Sequence, residues 1–304
     1  APLSIQVHPT PEQAIAGFED EQARGIAIDA PYRNYKDRYS KPETVIALSP
    51  MRVLTGVRPV EQLKTLAAAF GATWLAERAE LSPKQLLTEI IRLPKETASA
   101  AVQHLVDTAP GLLVASNEVV ADAAELVRIV DGKYPGDRGL LVAFVMNLVH
   151  LAPGESAFTP DGQVHAYVSG TAIELMNPSD NVMRAGLTAK HIDTEELIKV
   201  LGEKQDAPVI QRPNPEDGPL GTYAMWDERM SVTRVRVEEG KPLNYTFKGI
   251  SAALSVAGKV TIQAKDGNGT DEFVLGATES VLHVGEPSEA VLSGSGELYI
   301  ASYV

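Results

Sequence analysis

Gln6 and His8 stand two apart in Leu3-Ser4-Ile5-Gln6-Val7-His8, a run in which apolar and polar residues alternate. That is the period of a half-buried strand, so Ser4, Gln6 and His8 leave one face while Ile5 and Val7 face packing. An amide oxygen and an imidazole on one face suit a metal ion, although polar residues on the wet side of an antiparallel strand give the same pattern. A second imidazole, His165, follows Pro153-Gly154-Glu155 and Gly162, with Tyr167 two residues further on. Glu43 comes after Lys41-Pro42, where the proline keeps Lys41 extended and delivers Glu43 to the start of a strand. The alternating charge from Tyr35 to Glu43 also fits a solvated loop. The densest segment is Ser179-Asp180-Asn181-Val182-Met183-Arg184-Ala185-Gly186-Leu187-Thr188-Ala189-Lys190, preceded by Glu174. Its Asp and Asn favour turns and Gly186 permits close backbone approach. Arg184 and Lys190 are the cations that a phosphorylated ligand needs.

The elements that must hold these residues are short strands around a helical stretch. Pro9 and Pro11 end the first strand, and residues 12–24 suit a short surface helix; Thr44 to Leu48 is a second strand. From Pro59 to Val130 the apolar spacing becomes three and four, as in Leu63, Leu66, Ala67 and Phe70. Ser82-Pro83-Lys84-Gln85 has an N-cap, proline at the first helical position and Gln in the box position. Strands return at Asn147–Leu151 and Gly162–Tyr167, separated by Gly and Pro turns in the manner of a small barrel or jelly roll. Lys204 to Gly221 is polar and rich in Pro and Asp, as linkers are. Met230 to Val304 predicts a second β domain with hairpins at Val256-Ala257-Gly258-Lys259 and Asp266-Gly267-Asn268-Gly269. His283 is its only histidine and has no ligand cluster around it in sequence. His104, His150 and His191 have neighbours that fit ordinary structural or surface roles.

The chain of 304 residues, 44% hydrophobic and 22% charged, has an ordinary globular composition and room for more than one compact unit. A formal charge of −13 disfavours nucleic acid as a partner. Cys is absent, which excludes disulfides and thiolate metal sites and fits a cytoplasmic setting. No apolar run predicts a membrane span and no signal peptide opens the sequence, so neither membrane association nor export is expected.

The segments PLSIQVHP, NYKDRYSKPE, PGESAF…GQVHAYVSG, AIELM and SDNVMRAGLTAKHID resemble, in order and spacing, the type I mannose-6-phosphate isomerases of the cupin superfamily. The resemblance runs from Ala1 to about Glu196. It implies a mainly β protein with an α insert: a catalytic cupin (jelly-roll) domain over 1–55 and 140–205, a helical insert over 56–139, and a cupin-like β domain over 206–304. Family members have strands upstream of the point matching Ala1, so the catalytic domain is expected to lack N-terminal strands. By the same resemblance, one Zn2+ per chain is held by Gln6, His8, Glu43 and His165, a donor set that also suits manganese or iron. Arg184, Lys41, Glu174 and Asp180 match catalytic positions, and Ser4 and Lys190 match positions for the substrate phosphate. The implied reaction interconverts mannose 6-phosphate and fructose 6-phosphate through a cis-enediol, in a monomer or weak homo-oligomer.

Two other functions compete with that expectation. The family's loop usually reads Tyr-x-Asp-x-Asn-His-Lys-Pro-Glu, whereas this chain has Tyr39-Ser40 in place of Asn-His, and Ser40 does not titrate near neutrality. That departure suits a metal- and sugar-phosphate-binding relative with reduced or lost turnover. Two His and one carboxylate also suit an iron-dependent oxygenase, against which Gln6 and the Arg184 loop argue.

Overall fold

The computed structural model describes residues 1–213, 218–266 and 269–304. Their contacts divide the chain into two compact units, Ala1–Ile210 and Gln211–Val304, a boundary slightly beyond the expected 205/206.

The first unit opens with β1 (Ile5–Val7), whose two ends, Ile5 and Val7, are fully buried as the alternation predicts. The helix α1 (Pro11–Ala23) starts at a capping box in which the Thr10 hydroxyl accepts from the Gln13 amide and the Gln13 side chain accepts from the Thr10 amide. β2 (Glu43–Ala47) and β3 (Met51–Val57) follow. Six helices then occupy the space between β3 and β4: α2 (Val60–Phe70), α3 (Thr73–Ala76), α4 (Pro83–Ile91), α5 (Lys95–Leu112), α6 (Glu118–Asp131) and α7 (Gly139–Val145). The predicted cap at Ser82 opens α4, with the Ser82 and Gln85 side chains each meeting the other's backbone amide. Leu63, Leu66, Phe70, Leu86, Leu87, Ile90, Leu105 and Val127 from these helices form one buried cluster with Ile5, Val7 and Leu54 of the strands. The helices therefore share a hydrophobic core with the sheet that carries the site.

β4 (Met146–Leu151), β5 (Ser156–Thr159), β6 (His165–Ser169), β7 (Ala172–Met176), β8 (Met183–Gly186) and α8 (Thr194–Val200) follow, and β9 (Ile210–Gln211) falls at the boundary. With β1, β2 and β3 these strands make two sheets, in the orders β4-β3-β6-β1-β8 and β7-β2-β5-β9. Val45, Ala47 and Ala157 of the smaller sheet pack against Met51, Val53 and Leu151 of the larger one, which is jelly-roll packing of two antiparallel layers. Gly186 ends β8 at φ +142, and any Cβ there would run into the backbone of Gly139 at the start of α7. Glycine is required at that approach. Among the described residues, no helix is long and apolar enough to cross a membrane.

In the second unit β10 (Leu220–Ala224), β11 (Met230–Val237), β12 (Leu243–Asp266), β13 (Gly269–Gly276) and β14 (Ser280–Tyr303) form one sheet in the order β10-β11-β14-β12-β13. The hairpin expected at Val256–Lys259 is absent. Instead β12 runs through these residues, with a register shift between Ser255 and Ala257. Straight strands of 24 residues would reach about 80 Å, far beyond the diameter of a unit this size. They therefore bend, so that Leu292 pairs with Leu243 on one side and Ile262 on the other. Gly258, at φ +71 and against the Ser295 carbonyl, makes one of those bends possible. An isolated Gly inside a strand marks a bulge as readily as a turn, which is why the local pattern misleads there. Of the hairpin expected at Asp266–Gly269, Gly267 and Asn268 lie outside the described residues, and so do 214–217 of the expected linker.

Candidate metal centre and anion cleft

β1 is the pivot of the site because it pairs on both sides: Gln6 lies opposite His165 of β6 and opposite Arg184 of β8. Residues directly opposite in an antiparallel pair project from the same face, so Gln6, His165 and Arg184 form one row across the larger sheet. His8 follows directly after β1, two residues from Gln6, and Glu43 comes from β2 of the facing sheet. Candidate ligand atoms of His8, Glu43 and His165 all lie within 4.8 Å of one another, and the three residues are buried.

The hydrogen bonds behind the imidazoles define their tautomers. His8 Nδ1 donates to the Asn181 carbonyl at 2.7 Å and His165 Nδ1 donates to the Gln163 carbonyl at 3.1 Å. Each Nε2 then presents a lone pair. Those nitrogens face Glu43, His8 Nε2 at 3.2 Å from Oε1 and His165 Nε2 at 3.1 Å from Oε2. Two lone pairs aimed at a carboxylate repel it unless a cation lies among them, and His8 Nε2 is buried with no hydrogen-bond partner. Burial pushes the His8 imidazole below its usual pKa, and neutral imidazole is the ligating form. Burial acts to raise the Glu43 carboxyl; protonated imidazoles at His165 and His8, or a cation held between them in their neutral form, are what outweigh it and hold the group well below the usual carboxylate range. The donor set fits a divalent cation such as zinc. Gln6 donates through Nε2 to the Ser4 hydroxyl at 3.1 Å, which turns its amide oxygen the other way.

Lys41 and Glu174 join the same cluster. Lys41 Nζ is 2.7 Å from Glu43 Oε1. Glu174 of β7 pairs with Val45, one pleat along from Glu43, and accepts the Tyr167 hydroxyl at 2.5 Å. Burial, and next the negative charge of Glu43, raise the Glu174 carboxyl above its ordinary value.

A cleft of about 420 Å3 is lined by Lys36, Asp180, Arg184, Lys190 and His191 among others. The side chains of Lys36, Arg184 and Lys190 have no carboxylate partner among the described residues. Arg33, also on the lining, is instead engaged by Glu21 and by the Tyr35 and Ile26 carbonyls. In a chain with charge −13 this cleft gathers three cations without carboxylate partners among the described residues, and Asp29 and Asp180 also line it. Ser4 is not among the residues lining this cleft; it bonds Gln6 instead. The remaining histidines divide: His104 Nε2 bonds the Phe70 carbonyl, His150 pairs with Asp122 at the surface, and His191 lines the cleft.

Sequence reasoning passed over Lys36, Asn181 and Asp161. Lys36 and Asn181 lay within segments already singled out, but only the fold aims them at the cleft and at His8. Asp161, in the turn before β6, is pushed up to about 6 by burial, against the hydrogen bonds from the Ser40 hydroxyl and the Lys41 amide. Its Oδ1 is buried without a partner. A carboxyl raised from 3.8 to about 6 on folding stabilises the protein below about pH 4, and that contribution is lost as pH rises through 6. Two units correspond to about 3 kcal/mol, which partial exposure reduces to about 1 kcal/mol. Asp161→Asn is therefore expected to gain about 1 kcal/mol over the parent at pH 8 and nothing at pH 4. Urea unfolding at both pH values tests this; equal gains at both would contradict it.

The first 60 residues match the model of the family "phosphomannose isomerase type I, catalytic domain". A mannose-6-phosphate isomerase of Salmonella typhimurium is 37% identical over 225 residues, which cover 68% of this chain and 55% of that protein. One of Aspergillus fumigatus is 30% identical over 349 residues, covering 97% of this chain and 72% of that one. Among solved structures, mannose 6-phosphate isomerase from S. typhimurium bound to fructose 6-phosphate and zinc superposes with a TM-score of 0.84 at 28% identity, covering 99% of this chain and 76% of that one. The chain spans about half the length of the bacterial relatives it matches in sequence.

Proposed function

The chain belongs to the type I mannose-6-phosphate isomerase family, and from that premise we propose that it interconverts mannose 6-phosphate and fructose 6-phosphate with one zinc ion per chain. The observation that carries the reading is the pair of imidazole lone pairs trained on one buried carboxylate, beside a cleft of unpaired cations. His8, Glu43 and His165, with the Gln6 amide oxygen, would hold the metal. Bound zinc supplies Lewis-acid polarisation of the sugar oxygens at C1 and C2.

The chain's own residues account for the rest of the chemistry. Lys190 and Lys36 on the cleft wall bind the phosphate; Ser4, the other position expected to contact it, lies off that lining and accepts from Gln6 instead. Arg184, opposite Gln6 in register, stabilises the negative charge that develops on oxygen in the cis-enediol. Glu174 takes the proton from C2 of the open-chain aldose and returns it to C1, and the reverse reaction runs the same transfer backwards. One carboxylate on one face of the substrate suits a cis-enediol, in which C1 and C2 exchange the proton on the same side. Lys41, against Glu43, orients the hydroxyls, and Asp180 on the cleft rim assists ring opening.

A second reading is favoured by Ser40, which stands where the family has a titratable His: a metal- and sugar-phosphate-binding relative without turnover. Incubation of mannose 6-phosphate in deuterated water separates the two. The isomerase washes deuterium into C2 and stops doing so with a chelator; a binding relative retains the sugar phosphate and exchanges nothing. Zinc-loaded protein that forms no fructose 6-phosphate and leaves the C2 proton unexchanged would rule the enzyme out.

A further inference from the structure

Asn181 has no exposed surface, and every polar atom it owns is used. Its Oδ1 accepts from the amides of Lys36 at 2.7 Å and Asp37 at 3.3 Å. Its Nδ2 donates to the Asp37 carbonyl and the Tyr39 carbonyl at 2.9 Å, and to Asp37 Oδ1 at 3.1 Å. Its own carbonyl accepts the His8 Nδ1 proton at 2.7 Å. Around it, Ser179 Oγ donates to Asp37 Oδ1 at 2.8 Å and the Asp180 amide donates to Asp37 Oδ2 at 2.9 Å. A single buried amide thus joins the loop carrying Lys36 and Lys41 to the strand entrance that carries Asp180 and Arg184, while the same residue's carbonyl sets the tautomer of His8.

We propose that Asn181 is a positioning residue that couples the metal ligand His8 to the Lys36–Lys41 loop, so that the metal centre and the substrate cleft set each other's geometry. The physical reason is the lack of alternatives on either side. The segment before β8 has no strand partner until Met183 pairs with Val7, so the Asn181 carbonyl keeps its aim only while the side chain is clamped. Across the clamp, the Lys36 amide and the Tyr39 carbonyl meet Asn181 rather than a strand. No other common side chain of this volume both donates and accepts in that pattern. Aspartate has the shape but turns the donor into an acceptor against two carbonyls and the Asp37 carboxylate. A hydrogen bond behind a ligating imidazole typically changes metal affinity by ten- to a hundredfold.

The substrate half of this inference rests on the proposed isomerase reading; the zinc half does not. Metal-free parent and Asn181→Ala are titrated with zinc against a chromophoric chelator and melted without metal, and zinc-saturated samples are assayed for KM and kcat. The expected result is zinc affinity lower by roughly ten- to a hundredfold. A KM for fructose 6-phosphate raised several-fold and a reduced kcat in saturated protein should accompany it. Asn181→Asp should lose more than Asn181→Ala. A lower melting temperature with zinc affinity and KM unchanged would overturn the proposal, since a purely structural role moves only the melting. If Asn181→Ala does not fold, Ser179→Ala removes the flanking bond to Asp37 and should show the same pattern at smaller amplitude; an unchanged zinc affinity there also overturns it. A parent that binds zinc but isomerises nothing refutes the enzyme reading, and the zinc titration still decides the clamp.

Discussion

His165→Ala should lower zinc affinity by about two to three powers of ten. Structural zinc sites in zinc-finger peptides have apparent binding free energies of about 10–16 kcal/mol, or about 2.5–4 kcal/mol for each of four ligands, and each 1.4 kcal/mol is tenfold. His165 is buried, it faces Gln6 across the strand pair, and its Nε2 is one of the two lone pairs directed at Glu43. Removing it leaves the carboxylate with His8 and Lys41 as its remaining close partners. The β1–β6 pairing is made by the backbone and survives the change, so the variant should fold and turn up nearly metal-free. Elemental analysis of protein purified without added zinc, followed by chelator competition, checks both points. One zinc per chain at parental affinity would remove His165 from the ligand set.

Arg184→Ala should give the opposite profile: zinc retained, kcat down by about a hundred- to a thousandfold. The guanidinium is half-buried beside the cleft, has no carboxylate partner among the described residues, and lies opposite Gln6 in register. Its removal therefore breaks no ion pair, and β8 stays held by its backbone to β1. What is lost is a fixed positive charge next to the oxygen on which charge develops, which is worth more in a partly dehydrated cleft than in water. Zinc content, a thermal melt and steady-state kinetics on one preparation read all three quantities. Full activity in the variant would show that this loop serves another purpose. The two substitutions together form a discriminating pair, since one separates metal from protein and the other separates turnover from metal.

Much of the local structure was legible from residue types alone. Alternation placed Gln6 and His8 on one face, and Ile5 and Val7 are buried accordingly. Ser82-Pro83-Lys84-Gln85 opens a helix by the expected reciprocal hydrogen bonds. Gly186 is where a close approach was expected, and Gly139 is the neighbour that demands it. The failure was at Val256–Lys259, where a glycine that bends a long strand has the same local pattern as a glycine that turns a hairpin. Periodicity describes which way a side chain leaves its own strand, and it contains no information about how far that strand continues.

The sequence by itself determined the chemical types available: two imidazoles, an amide, carboxylates, a few cations in an acidic chain, and short strands to present them. Only the tertiary structure decided that His8 and His165 expose Nε2 rather than Nδ1, because the carbonyls of Asn181 and Gln163 that accept their Nδ1 protons arrive there through folding. It alone also decided that Lys36 shares a cleft with Arg184 and Lys190, and that Asn181 ties that cleft to the metal ligand. The physical reason is separation along the chain: a side chain's type is a local property, while Asn181, which sets the tautomer of His8, and Arg184 and Lys190, which share the cleft with Lys36, are more than a hundred residues from those partners and meet them only when the sheets close.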